Sequence, residues 1–128
     1  MTTTTVALVT GAARGIGNAI AQRLSNAGWQ VIASDLDEAA IGQAVERLEA
    51  DRGPVTARQM DVTDRGGINA TIKAITDEFG QLDVLINNAG IMDRAPFLEM
   101  TEPFWHHVLD TNLTGAFLTS QAVARQLV

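Results

Sequence analysis

Three glycines near the amino terminus are spaced as in a loop that could hold a phosphate group. They lie in the segment 10–17, Thr-Gly-Ala-Ala-Arg-Gly-Ile-Gly, between an apolar run and a stretch with helical periodicity. The first amides of a helix have no partner inside the helix, and the positive end of the helix dipole lies beside them. Glycine lets an anion approach those amides and permits the positive φ that a tight turn needs. The order of strand, glycine turn and helix therefore predicts a pyrophosphate-binding turn.

Polar residues also follow three later apolar runs. Asp35 ends the second run, Asp61 follows a weaker third run, and the sequence Asn-Asn-Ala-Gly at 87–90 follows the fourth run. In open parallel sheets, ligands bind at the carboxyl ends of the strands, at the point where the strand order reverses. We therefore expect the glycine turn and the turn at 87–90 to open at the same edge of a sheet.

The elements that must position these residues alternate along the chain. Strands are expected at 6–10, 30–35, 55–60 and 82–86, and a helical pattern follows each of them. This alternation predicts an α/β fold, with a parallel sheet covered by helices on both faces. Right-handed crossovers give the strand order 3-2-1-4, with the reversal between the first and fourth strands.

Four helices are expected to bury an apolar stripe, because apolar residues recur in them at helical spacing. In chain order, the stripes are Ile16, Ala19, Ile20, Leu24 and Ala27; Ile41, Val45 and Leu48; Ile68, Ile72, Ile75 and Phe79; and Phe104, Trp105, Val108 and Leu109.

Typical capping residues mark the ends of these helices. Gly28 is expected to end the first helix as a left-handed C-cap, and Asp37 and Thr63 to be the N-caps of the second and third helices. Gly53 with Pro54 should end the second helix and Gly80 the third, and the fourth helix should start near Thr101. Asn112 is expected to interrupt or kink the fourth helix before a last helical stretch at 113–128.

The composition indicates one globular domain. The chain has 128 residues, of which 46% are hydrophobic and 19% charged, and this balance suits a packed core rather than a disordered segment. The net charge of −6 argues against a nucleic-acid or anionic-membrane surface. The absence of cysteine excludes disulfides, thiolate chemistry and Cys-based zinc sites.

Targeting and metal signals are also missing from the sequence. No apolar run approaches the ~20 residues of a membrane span, and the apolar stretch after the threonines at 2–5 is too short for a signal peptide. We therefore expect a cytoplasmic protein with no membrane or nucleic-acid partner. His106 and His107 are adjacent and point about 100° apart on a helix, so they cannot form a two-histidine ligand face. We expect both to be surface residues and expect no metal site.

The glycine spacing Gly-x3-Gly-x-Gly resembles that of the short-chain dehydrogenase/reductase family, in its standard single-domain branch. The segment 10–17 is similar to the cofactor loop of that family, 87–90 to its second signature, and Asn112 to its structural and catalytic asparagine. The three motifs occur in the family's order, and the resemblance covers nearly the whole chain. It implies a Rossmann-like, doubly wound parallel sheet. It also implies an NAD(P)-dependent oxidoreductase that transfers hydride between nicotinamide and an alcohol or ketone.

The resemblance also assigns site residues. Those implied to bind the cofactor are Gly11, Arg14, Gly15, Ile16, Gly17, Asp35, Asp61, Val62, Asn88, Ala89 and Gly90. Asp61 and Val62 resemble an adenine clamp, in which the carboxylate accepts from the adenine amino group and the Val62 amide reaches a ring nitrogen. The alternative for Asp61 is that it only caps the next helix.

Asp35 bears on the choice between NAD and NADP. It follows Gly17 at close to the spacing of about 20 residues that is typical of an acid binding the adenosine ribose. A carboxylate there accepts from both ribose hydroxyls and repels a 2′-phosphate, whereas Arg14 could face that phosphate in NADP-using relatives. Because like charges in contact in a partly dry site repel strongly, Asp35 outweighs Arg14 and favours NAD. The alternative for Asp35 is a solvated acid at a helix N-terminus.

The groups that move protons in the family are not found here. The resemblance implies a catalytic tyrosine, an activating lysine and a serine beyond a fifth strand, but this chain has no tyrosine and its one lysine is Lys73. We therefore expect residues 1–128 to form an incomplete NAD(P)-binding Rossmann domain, truncated after the fourth strand and the following helices. Asn112 is the one matched catalytic residue, and in the family it holds a water beside the lysine.

The fourth strand should then be an open edge, with the apolar residues of 82–86 partly exposed. In relatives the helix from Leu113 packs against a second subunit, so a homo-oligomer is expected. Two functions remain open from the sequence. One is the cofactor-binding half of an oxidoreductase acting on a small-molecule alcohol or ketone. The other is a non-catalytic dinucleotide-binding or protein-interaction module.

Overall fold

Four strands form one parallel sheet in the computed structural model, which describes residues 3–51 and 54–128. The strands are β1 (Val6–Val9), β2 (Gln30–Asp35), β3 (Val55–Gln59) and β4 (Val84–Ile86). Their order is β3-β2-β1-β4, which confirms the predicted order and its reversal between β1 and β4. Val9 pairs with both Ala33 and Ile86, so the carboxyl ends of β1, β2 and β4 lie at the same end of the sheet.

Five helices connect and follow the strands. They are α1 (Gly15–Asn26), α2 (Glu38–Asp51), α3 (Arg65–Phe79), α4 (Glu102–Leu109) and α5 (Gly115–Leu127). A short 3-10 turn at Phe97–Glu99 precedes α4, and a π-turn at Asp110–Thr114 joins α4 to α5. The π-turn contains Asn112, which confirms the predicted interruption. Within the described residues, no helix is long and apolar enough to cross a bilayer.

Alternate strand residues point into two separate cores. Leu8 and Ile32 face a cluster that includes residues of α3 and α5, whereas Val9 and Val31 face a cluster with α1 and α2. The sheet therefore carries helices on both faces, as the doubly wound arrangement requires.

Most of the predicted helix caps are present. Asp37 caps α2 by accepting from the Ala40 amide at 3.0 Å, and Thr101 caps α4 by accepting from Phe104 at 3.3 Å. Gly28 and Gly80 follow α1 and α3 with φ of 88° and 81°, a region that favours glycine. Gly53, expected to end α2, lies outside the described residues.

The predicted cap of α3 at Thr63 is wrong. The N-cap residue is Asp64, and the Thr63 amide and hydroxyl both donate to the Asp61 carboxylate instead. The turn between β3 and α3 is therefore one residue longer than expected, because Asp61 organises it before the helix begins.

The predicted stripe of α1 is also partly wrong. Gly17, Ala21 and Ser25 are its buried residues, while Ile16 is 74% exposed. Ala19 and Ala27 are exposed as well. The helix approaches the first loop so closely that only small side chains fit in the contact, and an apolar periodicity does not detect such a face.

The stripes of α2 and α3 are confirmed, but that of α4 is not. Ile41, Val45 and Leu48 are buried, as are Ile68, Ile72 and Ile75. Within α4 no residue is buried, and its Trp105 is 53% exposed. An apolar stripe is buried only where another element covers it, and the main contacts of α4 run to the π-turn that follows it.

The fourth strand is a partly exposed edge, as expected. Val84, Leu85 and Ile86 are half-buried. Leu82, which precedes the strand, was expected to be partly exposed, and this is wrong because it is fully buried in the cluster shared by α3 and α5. The Gln126 side chain of α5 donates to its carbonyl at 2.8 Å and covers it from that side.

Candidate functional site

A cavity of about 740 Å³ opens at the carboxyl edge of the sheet, where the strand order reverses. It brings together residues from the glycine turn, the ends of β2 and β3, the turn after β4, and the α4–α5 region. The predicted site residues that line it are Gly11, Arg14, Gly15, Ile16, Asp35, Asp61, Val62, Asn88, Ala89 and Gly90. Gly17 and Asn112 are not wall residues, but both contact residues of the wall. Gly17 packs against Gly11 and Asn88, and Asn112 is hydrogen-bonded to Ile91.

Thr10 ties the glycine turn to the turn after β4. Its side chain is buried, and its hydroxyl oxygen accepts from the amides of Asn88 at 3.1 Å and Ala89 at 2.9 Å. The hydroxyl also donates to the Ile86 carbonyl at 3.4 Å. A hydroxyl has one donor and two acceptor sites, so all three are used. A second link runs from the Asn88 side chain, which donates to the Gly11 carbonyl at 3.1 Å.

Two glycines make this close approach possible. Gly11 has a φ of 63°, and a Cβ there would lie 2.8 Å from the Cα of Ala89. A Cβ on Gly17 would overlap the carbonyl oxygen of Gly11 and lie 2.5 Å from Nδ2 of Asn88. Gly15 has a φ of 59°, which side chains rarely adopt. The sequence spacing thus reflects two steric requirements, at Gly11 and Gly17, and two positive-φ conformations, at Gly11 and Gly15.

The N-terminus of α1 faces the cavity in a form that suits an anion. Gly15 and Ile16 begin the helix and line the wall. The N-cap residue is Arg14, whose guanidinium is a donor and cannot accept from the first helical amides. The first turn of α1 contains no acidic residue, so nothing in this described helix competes with a bound phosphate. The residues present therefore fit a dinucleotide pyrophosphate.

Asp35 reaches the cavity from the end of β2. One carboxylate oxygen accepts from the Ala13 amide at 3.1 Å, and the other accepts from the Asp37 amide at 3.2 Å. These bonds fix the orientation of the carboxylate. Because each oxygen can accept a further hydrogen bond, the group can still hold two ribose hydroxyls.

Asp61 and Val62 form the wall at the end of β3. The Asp61 carboxylate accepts from the Thr63 amide at 2.8 Å and from the Thr63 hydroxyl at 2.7 Å. Asp61 therefore holds a turn that precedes α3, and the helix cap itself is Asp64. Val62 belongs to a buried core cluster and also lines the cavity.

Asn112 holds the chain that follows the 87–90 turn. Its side-chain oxygen accepts from the Ile91 amide at 2.7 Å, and its amide nitrogen donates to the Ile91 carbonyl at 2.8 Å. Both halves of the side-chain amide are thus used on one residue of the cavity wall. The π-turn places Asn112 where it can make this two-point contact.

Several wall residues were not singled out from the sequence. They are Thr10 (given only as part of the glycine motif), Ser34, Leu36, Met60, His107 and Thr111. Most are direct neighbours of predicted site residues at strand ends, which is the signal that could have found them. His107 was expected to be a surface residue; its side chain is 62% exposed, yet it lines the cavity rim with Nε2 at 4.0 Å from Asp93. Among the described residues, no group of three or more His, Asp or Glu side chains could hold a metal.

The family model described as short chain dehydrogenase matches residues 5–128. The chain belongs to the short-chain dehydrogenase family. Members of this family are oxidoreductases that use nicotinamide cofactors, which is consistent with a cavity built around a phosphate-binding turn.

Individual relatives agree with this assignment. The chain is 42% identical to galactitol 2-dehydrogenase of Agrobacterium fabrum, over 96% of this chain and 47% of the relative. It is 45% identical to a 3-oxoacyl-[acyl-carrier-protein] reductase of Vibrio cholerae, over 96% of this chain and 49% of the relative. The structure of a short chain dehydrogenase from Mycobacterium smegmatis superimposes on this chain with a TM-score of 0.91 at 36% identity. The match covers 97% of this chain and 52% of the Mycobacterium smegmatis chain. The chain thus spans about half the length of the relatives it matches.

Proposed function

We propose that this chain is the NAD-binding half of an oxidoreductase that transfers hydride between the cofactor and an alcohol or ketone. The observation that carries the proposal is the convergence on one cavity of the α1 N-terminus, Asp35 and the turn after β4. When bound, the nicotinamide ring gives or takes the hydride. The remaining steps concern what the residues of this chain hold and position.

Each wall of the cavity has a part in this proposal. The first amides of α1 bind the pyrophosphate, and Asp35 accepts from the hydroxyls of the adenosine ribose. Asp61 and the Val62 amide bind adenine. The Asn88-Ala89-Gly90 backbone lies against the second ribose.

The proton-transfer groups are outside this assignment. The sequence contains no tyrosine, and its one lysine, Lys73, pairs with Asp77 on the exposed side of α3. We therefore assign cofactor binding to this chain. Catalytic turnover is assigned to a protein that combines this chain with a proton-transferring tyrosine and lysine. Small-molecule alcohols or ketones are the proposed substrate class, since relatives include a galactitol dehydrogenase.

Calorimetric titration of the chain with NAD tests the proposal directly. Saturable binding at one site is expected, and AMP should compete with NAD for it. Absence of any NAD or NADP binding by the folded chain would overturn the proposal. Binding of NADP in clear preference to NAD would overturn only the choice of cofactor.

Replacing Asp35 by asparagine should reduce the preference for NAD over NADP. The substitution removes a charged acceptor for two ribose hydroxyls and also removes the repulsion of a 2′-phosphate. Loss of hydrogen bonds to a charged group corresponds to about tenfold weaker NAD binding or more. Affinities for both cofactors should be measured side by side.

Asp37→Asn is the matched control for that variant. Asp37 carries the same charge two residues away and caps α2, and asparagine is an equally good N-cap. The control should leave the ratio of NAD to NADP affinity unchanged. A similar change of ratio in both variants would show that the general negative charge, and not a contact of Asp35, sets the preference.

We also propose that the protein acts in the cytoplasm as a homo-oligomer. Trp105, Leu113 and Phe117 expose large apolar side chains on α4, the π-turn and α5. Such exposure is typical of an interaction surface. Sedimentation velocity over a range of concentrations should show association, whereas a monomer at every concentration would contradict it.

A further inference from the structure

The first residue of helix α5, Gly115, is in close contact with Val62, a residue of the cavity wall. A Cβ added to Gly115 would lie 2.8 Å from Cγ2 of Val62, 3.1 Å from its Cβ and 3.1 Å from its carbonyl oxygen. Two of these atoms belong to the side chain and one to the backbone of the same residue. The first residue of α5 therefore touches Val62 with no room for a methyl group between them.

Val62 has little freedom to move away from this contact. Its side chain is 9% exposed and belongs to the core cluster that contains Met60, Ile68 and Leu118. The core on its far side is closely packed, so a displaced Val62 must carry its backbone with it. That backbone continues directly into Asp61 and Thr63, which form the hydrogen-bonded turn on the cavity wall.

The same junction also holds the opposite wall. Asn112, three residues before Gly115, binds the Ile91 backbone at both its amide and its carbonyl. A Cβ on Gly90 would lie 3.2 Å from Oδ1 of Asn112, so this side is in close contact too. Asn112 and Gly115, which are close in sequence, thus contact two different walls of the cavity, at Ile91 and at Val62.

We infer that Gly115 is a positioning residue for the adenosine-binding turn. By allowing α5 to seat directly on Val62, it sets where Asp61 and the Val62 amide lie relative to the cavity. This inference rests on the proposed function, because it concerns the adenosine half of the same cofactor site. Gly115 does not line the cavity itself, so its effect passes through Val62.

The test compares Gly115→Ala with Gly42→Ala, a glycine in α2 at which an added Cβ would meet no described atom within 4 Å. Binding of AMP and of nicotinamide mononucleotide is measured for both variants and for the unaltered chain. For Gly115→Ala, AMP should bind about tenfold more weakly, while the mononucleotide changes by less than about twofold. Hydrogen exchange of the Thr63 amide in the free chain should also be faster than in the control.

A compensating variant separates positioning from general damage. Val62→Ala removes Cγ2, the nearest of the three Val62 atoms that the new methyl group would meet, and leaves the backbone amide in place. The double variant Gly115→Ala with Val62→Ala should recover part of the AMP affinity, because the two contacts at 3.1 Å with Cβ and the carbonyl oxygen remain. If Gly115→Ala alone does not fold, recovery of folding in the double variant supports the inference, and failure to recover overturns it.

The remaining outcomes are also decisive. Equal loss of affinity for both nucleotides, or no loss for either, overturns the role of Gly115 while leaving the cofactor site intact. If the unaltered folded chain binds neither AMP nor NAD, the proposed function fails and this inference fails with it. The measurement on the unaltered chain therefore distinguishes the two failures.

Discussion

Gly17→Ala should eliminate measurable cofactor binding and destabilise the chain by about 3 kcal/mol, the upper part of the range for overpacking a tight contact. The added methyl group would overlap the Gly11 carbonyl oxygen and lie 2.5 Å from Nδ2 of Asn88. Neither neighbour can give way alone, because the Asn88 side chain donates to that same carbonyl. The strain must therefore separate the glycine turn from the turn after β4. Urea unfolding and NAD titration measure the two effects.

Gly42→Ala provides the control for this substitution as well. It makes the same chemical change within helix α2, where the described structure leaves open space around the new methyl group. Replacing glycine by alanine in a helix interior should stabilise this variant by about 1 kcal/mol. Retention of normal NAD affinity by Gly17→Ala would show that the contact with Asn88 is not needed to form the site.

Thr10→Val should cause the second-largest effect, with a loss of about 2 to 4 kcal/mol in the free energy of unfolding. Valine keeps the shape of the side chain but removes the hydroxyl group. The amides of Asn88 and Ala89, both half-buried residues, then lose their acceptor, and a donor left without a partner away from water costs about 1–3 kcal/mol. Cofactor affinity should fall together with stability, because these amides fix the turn that lines the cavity.

Thr10→Ser separates the hydroxyl from the methyl group of the same side chain. Serine retains the acceptor and loses one buried methyl, so it should cost about 1 kcal/mol and keep NAD affinity within a fewfold of the unaltered chain. Equal losses in Thr10→Val and Thr10→Ser would contradict the hydrogen-bond role and indicate that packing of the methyl group dominates.

Local signals explain what could be predicted from the sequence. Strand order follows from the alternation of elements along the sequence and from the right-handedness of crossovers. Gly28, Gly80 and Asp37 mark helix ends through conformations or bonds that involve only near neighbours. The motif residues of the cavity lie at strand ends, in the turns that follow, or in the first turn of α1, and their resemblance to the family's motifs identifies them.

The wrong and missing predictions share a different cause. Each concerns a residue whose surroundings are set by tertiary contacts with distant parts of the chain. The face of α1 was misplaced because Gly17 and Ala21 make close contact without hydrophobic bulk. The stripe of α4 was expected to be buried, but periodicity does not reveal whether any element covers it. The acceptor role of Thr10 and the contact between Gly115 and Val62 join residues far apart in the chain, and no local pattern records them.

The bonds around Thr10 also constrain the order in which the chain can fold. They join residues separated by 76 to 79 positions, whereas each strand before β4 can be reached through a shorter crossover. Closing so long a loop is slow relative to local structure, so the glycine turn acquires its final shape only when β4 docks beside β1. A growing polypeptide that has not yet exposed Ala89 cannot complete this turn. We therefore expect the chain to gain nucleotide affinity, during synthesis or refolding, at the moment when β4 docks beside β1.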